Sequence, residues 1–337
     1  MSGRQLSLFE APEAERIDTT GDAELMRQLS SDVRFGTSSW TFPGWAGIVY
    51  AGRPSERELQ QRGLEEYARH PLFRTVGIDR SYYRPLGEKD LREYAEQLPR
   101  GFNCVHKVYG RITSALDPRT REPNPEFLDV ALLEREVLRP LERHFRDNLG
   151  PLVFELMPLH QPELPSDERF ITKLGQFLAA LPRGFSYAIE LRNREFLLPE
   201  YVDLLHRHGV SHVFNFWERM PRLGEQLALP GLLEAGDVAV SRLMIPPGKR
   251  YMKRKETLAP FDELRDPQPG MRRDVMEICL AVQRLGKVVY IIANNKAEGC
   301  SPLTVRALAS ELVRRGIATA SGDRQWEGRE SEAEAAT

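Results

Sequence analysis

The chain has 337 residues, 41% of them hydrophobic, and a formal net charge of −2. No apolar run approaches the roughly 20 residues that cross a bilayer, and the first residues lack the basic-then-apolar pattern of a secretory leader, so the cytoplasm is the expected location, with no membrane association. Three widely spaced cysteines, Cys104, Cys279 and Cys300, argue against a disulfide framework or a paired-cysteine zinc site, and the near-neutral balance leaves any contact with nucleic acid to a local patch.

Residues 1–32 are polar and acidic apart from Leu6–Phe9, and read as a flexible tail. Eight short apolar, β-branched runs follow: Val33–Phe35, Thr75–Ile78, Phe102–Val105, Leu152–Phe154, Tyr187–Ile189, Val213–Phe216, Val238–Leu243 and Val288–Ile292. Between them, apolar residues at three- and four-residue steps predict helices over Glu56–Arg69, Glu88–Leu98, Glu126–Phe145, Asp167–Leu181, Glu200–His208, Arg273–Leu285 and Leu303–Arg315. Pro99-Arg100-Gly101 and Pro182-Arg183-Gly184 each stop a helix just ahead of a strand. Residues 318–337, rich in Ala, Glu, Ser and Gly, read as disordered. Continuous apolar runs suit strands covered on both faces, and their alternation with helices implies parallel pairing through right-handed crossovers. Eight such units predict one (β/α)8 barrel over residues 33–317.

A barrel of this kind places its chemistry where strands hand over to the following loops. Those handovers hold Ser38 and Trp40; Asp79, Tyr82 and Tyr83; His106 and Lys107; Glu155; Glu190 and Arg192; Trp217; Arg242; and Asn294 with Asn295. Period-two alternation points Glu190 and Arg192 together into the mouth, as a metal ligand or phosphate-facing pair, or as a buried ion pair closing the barrel top. Lys107 can bind phosphate, form a Schiff base, or pair with Asp79 or Glu155. Tyr82 or Tyr83 offers a stacking face, while the other packs. Asn294 and Asn295 can serve a ligand or end the last strand.

Asp79, Glu155 and Glu190 together could hold one hard divalent cation, magnesium or manganese. A multi-zinc site is not expected, because an inward Lys107 sends His106 outward and His206, His208 and His212 lie away from the mouth. Glycoside hydrolysis is disfavoured too: it needs two opposed carboxyls, and strand seven offers Arg242 opposite Glu155.

Several segments taken jointly resemble the domain of unknown function 72, or YecE-like, family: VRFGTSSWTFPGWAGIVY at Val33–Tyr50, VGIDRSYYR at Val76–Arg84, Lys107 with Arg111-Ile112-Thr113, Phe154–Pro158, IELRNR at Ile189–Arg194, and Tyr290–Asn295. The resemblance covers about Val33 to Leu312 and implies a (β/α)8 barrel without a settled reaction. The family has been compared in fold with endonuclease IV, a barrel DNA-repair enzyme. Against the family pattern, Gly77 stands where a Glu is usual, Asp79 where Asn is, and Glu155 where Gln is common. Arg242 is followed by Met244-Ile245-Pro246 rather than by His-Gly.

Two further segments bear on partners. Lys249, Arg250, Tyr251, Lys253, Arg254 and Lys255 form a basic run after strand seven, suited to a polyanion backbone or simply to a solvated loop. Gln5, Leu6, Leu8 and Phe9 match a pentapeptide that docks on the bacterial sliding clamp. The reading that follows is a DNA-associated barrel with phosphodiester-directed activity, recruited by its tail. In it Asp79, Glu155 and Glu190 hold a metal or act as acid and base, and Lys107, Arg192 and Arg242 neutralise phosphate. The alternatives are a sugar-phosphate isomerase or lyase using Lys107 and Glu190, and a non-catalytic DNA-binding adaptor.

Overall fold

The computed structural model describes residues 17–160 and 163–316. Eight parallel strands form the wall of a (β/α)8 barrel: β1 (Val33–Thr37), β2 (Gly77–Ile78), β3 (Cys104–Lys107), β4 (Leu149–Glu155), β5 (Tyr187–Glu190), β6 (Ser211–Phe216), β7 (Val238–Leu243) and β8 (Val288–Ala293). Their order is β1-β8-β7-β6-β5-β4-β3-β2, so β1 and β2 stand at the two ends of the sheet. Across that seam the wall is held by a few bonds rather than a ladder. The Arg74 and Thr75 amides both donate to Phe35 O, at 2.9 and 3.3 Å. The Tyr67 hydroxyl accepts from the Thr37 amide at 2.9 Å and donates to Thr75 O at 3.2 Å. Gly36 is required here: a Cβ on it would lie 2.1 Å from Thr75 O.

Side-chain alternation sorts each strand into two faces. Val105, Val153, Ala188, Val213, Val240, Tyr290 and Ile292 form a separate apolar cluster in the barrel interior. Phe35, Cys104, Phe154, Ile189, Phe214 and Ile291 belong instead to the larger core shared with the helices. The helix Glu56–Arg69 falls where its periodicity predicts, opened by a capping box in which Ser55 and Glu58 satisfy one another's backbone amides.

Two elements differ from expectation. The predicted helix Glu126–Phe145 starts at Val130 and runs to His144, passing through a π-turn at Glu134–Leu138 between Val130–Leu133 and Arg139–His144. Pro140 has no amide to donate and crowds the preceding turn, so the ladder widens ahead of it. Part of the predicted 1–32 tail is folded: Thr20–Arg27 is a helix, with Met26 and Leu29 buried. Arg306 clamps Asp22 with two bonds of 2.7 and 2.6 Å, and Arg74 donates to Met26 O at 2.7 Å. Gln5, Leu6, Leu8 and Phe9 lie outside the described residues. Among the described residues no helix is long and apolar enough to cross a membrane.

The histidines behave as the alternation requires. His106 is buried on the outer side of the wall, and burial pushes its imidazole down to about 3. Burial pushes His212 down to about 4, a hydrogen bond to Gln226 partly opposing the shift. Both values lie below that of an unfolded chain, so acid loads protons onto the unfolded state first, and stability is lost as pH falls through the unfolded value of about 6.5. Between pH 7 and 5 each histidine should remove about 2 kcal/mol. Urea denaturation at the two pH values is expected to show their sum, a drop of about 4 kcal/mol, which His106→Leu should reduce to about 2 kcal/mol. An equal drop in the variant would clear His106 of the effect.

Candidate active site at the barrel mouth

The apolar interior layer fixes what stands above it. Two residues beyond Val105, Val153, Ala188, Val213, Val240 and Ile292 come Lys107, Glu155, Glu190, Asn215, Arg242 and Asn294. Strand pairing sets two pairs of them level, Glu155 opposite Glu190 and Asn215 opposite Arg242, while Lys107 pairs with Val153 and Arg242 with Ile292, so the layer is stepped around the barrel. The same period that builds the core therefore caps it with a polar layer at the C-terminal end.

Arg242 is the centre of that layer. Its Nη1 donates to Glu155 Oε2 at 2.7 Å and to Glu190 Oε2, and its Nη2 reaches both Asp79 oxygens at 3.1 and 3.0 Å. Glu155 is the second hub: its Oε2 also takes Arg192 Nη2 at 2.6 Å and Lys107 Nζ at 2.9 Å. Arg192 Nη2 lies 2.5 Å from Glu190 Oε1. Three cations thus meet three carboxylates. Burial alone would raise the Glu155 carboxyl, but Arg192, Lys107 and Arg242 together hold it well below the usual carboxylate range. Glu155 is therefore a fixed anion at neutral pH, unsuited to donating a proton.

The carboxylates that the sequence offered to a divalent cation surround a guanidinium instead. Among the described residues no group of three or more His, Cys, Asp or Glu is placed to hold a metal ion. The donor set does not fit a magnesium or manganese site, because Arg242 occupies the point on which Asp79, Glu155 and Glu190 converge. A Cβ on Gly77 would sit 3.2 Å from Ser38 Cα and 3.3 Å from Ile292 Cγ2, so that position is crowded, and the carboxylate from this strand end is that of Asp79, two residues on.

Around this centre the other predicted residues divide. Tyr82 lies beneath Lys107, whose Nζ stands 3.9 Å from the ring centroid, while Tyr83 on the rim is 79% exposed. Asn294 donates to Ser38 Oγ at 2.6 Å, joining β8 to the β1 handover. Trp40 and Asn295 leave the site. Trp40 is buried against the helix Glu56–Arg69, donating to Leu59 O, because its indole N–H needs a buried partner. Asn295 Oδ1 accepts from the Ser301 amide and hydroxyl at 2.8 and 2.7 Å and starts the last helix.

The basic run is a helix, Tyr251–Leu258, rather than a loop. Lys249, Arg250, Lys253 and Lys255 are exposed. Arg254, four residues before the buried Leu258, faces inward, donates to Lys296 O at 2.9 Å and Ala297 O at 2.6 Å, and pairs with Asp266. It is thereby withdrawn from any polyanion surface.

Asn215 and Lys296 escaped the sequence reading, and Trp217, already placed at a handover, was given no role there. Trp217 lies under Arg192, with the guanidinium carbon 3.8 Å from the ring centroid. Asn215 was signalled by the two-residue step beyond Val213. Lys296, directly after the asparagine pair, places Nζ 3.1 Å from Asn294 Oδ1 and 4.6 Å from the Tyr251 ring centroid. Arg192 is 2% exposed, yet its Nε and Nη1 have no hydrogen-bond partner among the described residues. It borders a cavity of about 860 Å³ whose walls include Phe127, Leu156, Met157 and Asn193.

The family described as Protein of unknown function DUF72 matches residues 34–326. A DUF72 family protein from Enterococcus faecalis V583 is 19% identical, with a TM-score of 0.56 over 82% of this chain and 95% of that one. Another, from Thermotoga maritima MSB8, is 18% identical, with a TM-score of 0.54 over 84% and 98% of the respective chains. At such identities the likeness speaks to the fold. No curated protein matches the sequence.

Proposed function

This chain belongs to the DUF72 family of proteins of unknown function, and from that premise we propose that it is a barrel enzyme acting on a small anionic metabolite, a phosphorylated or carboxylated sugar or keto compound. The observation that carries this reading is Arg192: the residue lines a cavity of ligand size, and two of its buried nitrogens, Nε and Nη1, are without partners among the described residues. A buried donor left unpaired costs about 1–3 kcal/mol, and an anion seated there would remove that cost. The phosphodiesterase reading is weaker, since its metal would need carboxylates that Arg242 already holds.

The test is binding. Sugar phosphates and keto acids should raise the thermal midpoint of the protein, and Arg192→Lys, which keeps the charge but loses the planar fork, should weaken binding roughly ten- to a hundredfold. No stabilisation by any member of a broad panel would overturn the proposal.

One observation favours a second reading. Lys249, Arg250, Lys253 and Lys255 stand exposed beside Tyr251 and Met252, which are 43% and 61% exposed, so this rim combines cations with an aromatic face suited to single-stranded nucleic acid. Clamp recruitment through Gln5, Leu6, Leu8 and Phe9 would belong to the same reading. Changing Lys253 and Lys255 together to alanine should flatten the log–log salt dependence of single-strand binding by about 1.4, at about 0.7 per phosphate contact. Equal slopes for the two proteins would remove the rim from nucleic-acid binding.

A further inference from the structure

We propose that Lys296 is an imine-forming amine that captures a small aldehyde or ketone bearing a carboxylate or phosphate. The inference deepens the small-molecule reading of the mouth and rests on it. Three lysines are buried or half-buried near the strand ends or in the wall, and they differ in what their amines do. Lys107 is committed to Glu155. Lys287 spends its three donors on the carbonyls of Leu233, Glu234 and Gly236, at 3.1, 2.7 and 2.8 Å. Lys296 has neither arrangement. Its amine makes one hydrogen bond, to Asn294 Oδ1, and no carboxylate pairs with it among the described residues. The residue is 7% exposed and lies just past the end of β8, with the Tyr251 ring over the amine. A ligand that takes the place of that ring reaches Nζ directly.

The surroundings favour the neutral amine that such chemistry needs. Burial pushes the Lys296 amine down to about 8, while Asp79 draws it up and Lys255 pushes it further down. Asp79, Lys255 and the Tyr251 phenol are the titratable groups facing it. The neutral Nζ attacks the carbonyl carbon, a C–N bond forms, and the carbonyl electron pair moves to oxygen. That oxygen takes the proton shed by nitrogen, giving a carbinolamine. A second proton from solvent lets the oxygen leave as water while the nitrogen lone pair closes the C=N bond, leaving a cationic iminium. Asn294, bonded to both Lys296 and Ser38, positions the amine.

Cyanoborohydride trapping tests this. The full chain is incubated in turn with pyruvate, glyoxylate, dihydroxyacetone phosphate and glyceraldehyde 3-phosphate, then reduced and read by intact mass and peptide mapping. At least one probe should give a one-to-one secondary-amine adduct on Lys296, absent from Lys296→Met and retained in Lys89→Met, a change at an exposed lysine outside the mouth. The yield should rise through about pH 8. Trace acetylation of the wild-type protein gives a readout that needs no variant: Lys296 should react with a midpoint near pH 8, below the bulk of the lysines. Adducts spread over surface lysines, or a Lys296 that acetylates like the rest, overturn the imine. A probe that raises the thermal midpoint without being trapped overturns the imine and leaves the small-molecule reading standing. Neither stabilisation nor trapping with any probe overturns both.

Discussion

Replacing Arg242 with methionine should cost the barrel about 3–5 kcal/mol, the range for breaking a buried ion pair by removing one partner. The side chain is 2% exposed and serves Asp79, Glu155 and Glu190 at once, so its loss leaves carboxylates buried with fewer charges to answer them. At a few degrees per kcal/mol for a domain of this size, the thermal midpoint should fall by roughly 10 °C. The pH dependence identifies the cause. In the native protein Glu155 is held below its unfolded value, so the stability it contributes is present above the unfolded carboxylate range and lost as pH falls through the folded value. In the variant the stranded carboxylates take up protons earlier, and the deficit relative to wild type should narrow between pH 7 and pH 5. Adding Glu190→Gln to Arg242→Met should recover part of the loss. A deficit independent of pH, with no recovery in the double variant, would assign the effect to packing rather than charge.

Gly36→Ala should be nearly as damaging, by a different route. The new methyl carbon would lie 2.1 Å from Thr75 O and 2.6 Å from Thr75 C, backbone atoms that no rotamer can move. Relief requires β1 to withdraw from the segment before β2. That strains the two amides on Phe35 O and the Tyr67 bridge. Overpacking of about 1–3 kcal/mol, with one or two hydrogen bonds at about 1 kcal/mol each, predicts a loss of about 2–5 kcal/mol in urea denaturation. Gly21→Ala, in the Thr20–Arg27 helix with no atom within 4 Å of the added carbon, should instead stabilise by about 0.5–1 kcal/mol. Similar effects for the two changes would mean that the seam yields more easily than its geometry implies.

The strands were legible because each is apolar on two faces, and the handover residues Lys107, Glu155, Glu190, Arg242 and Asn294 lie together at the C-terminal end of the barrel, whereas counting two residues past each interior position would have added Asn215. What they do to one another was not legible. In a sequence, Asp79, Glu155 and Glu190 can serve a divalent ion or an arginine equally well, and only the reach of Arg242 across the barrel decides between them. Arg254 was hidden for a related reason: five neighbouring cations look alike until Leu258, four residues on, shows which face of the helix is buried. The Thr20–Arg27 helix is short and polar, and it is held by long-range partners, Arg306 and Arg74, that no local pattern announces. Lys296 was overlooked because a lysine on a loop is ordinarily solvated, and its burial depends on a tyrosine 45 positions earlier in the chain.

The seam between β1 and β2 carries a consequence for motion. A wall closed by one shared carbonyl and one tyrosine hydroxyl is the line along which the barrel parts at least cost. Ser38 sits immediately past the β1 end of that line, with its amide on Ala293 O and its hydroxyl held by Asn294. Local opening at the seam therefore loosens the support beneath the Lys296 amine, and an occupant of the mouth that bonds to Asn294 or Lys296 draws the wall shut. Amide exchange at Thr37, Arg74 and Thr75 should slow when the mouth is filled, although none of the three touches the ligand. Occupancy would then be readable from the far side of the strand, as protection of backbone hydrogens.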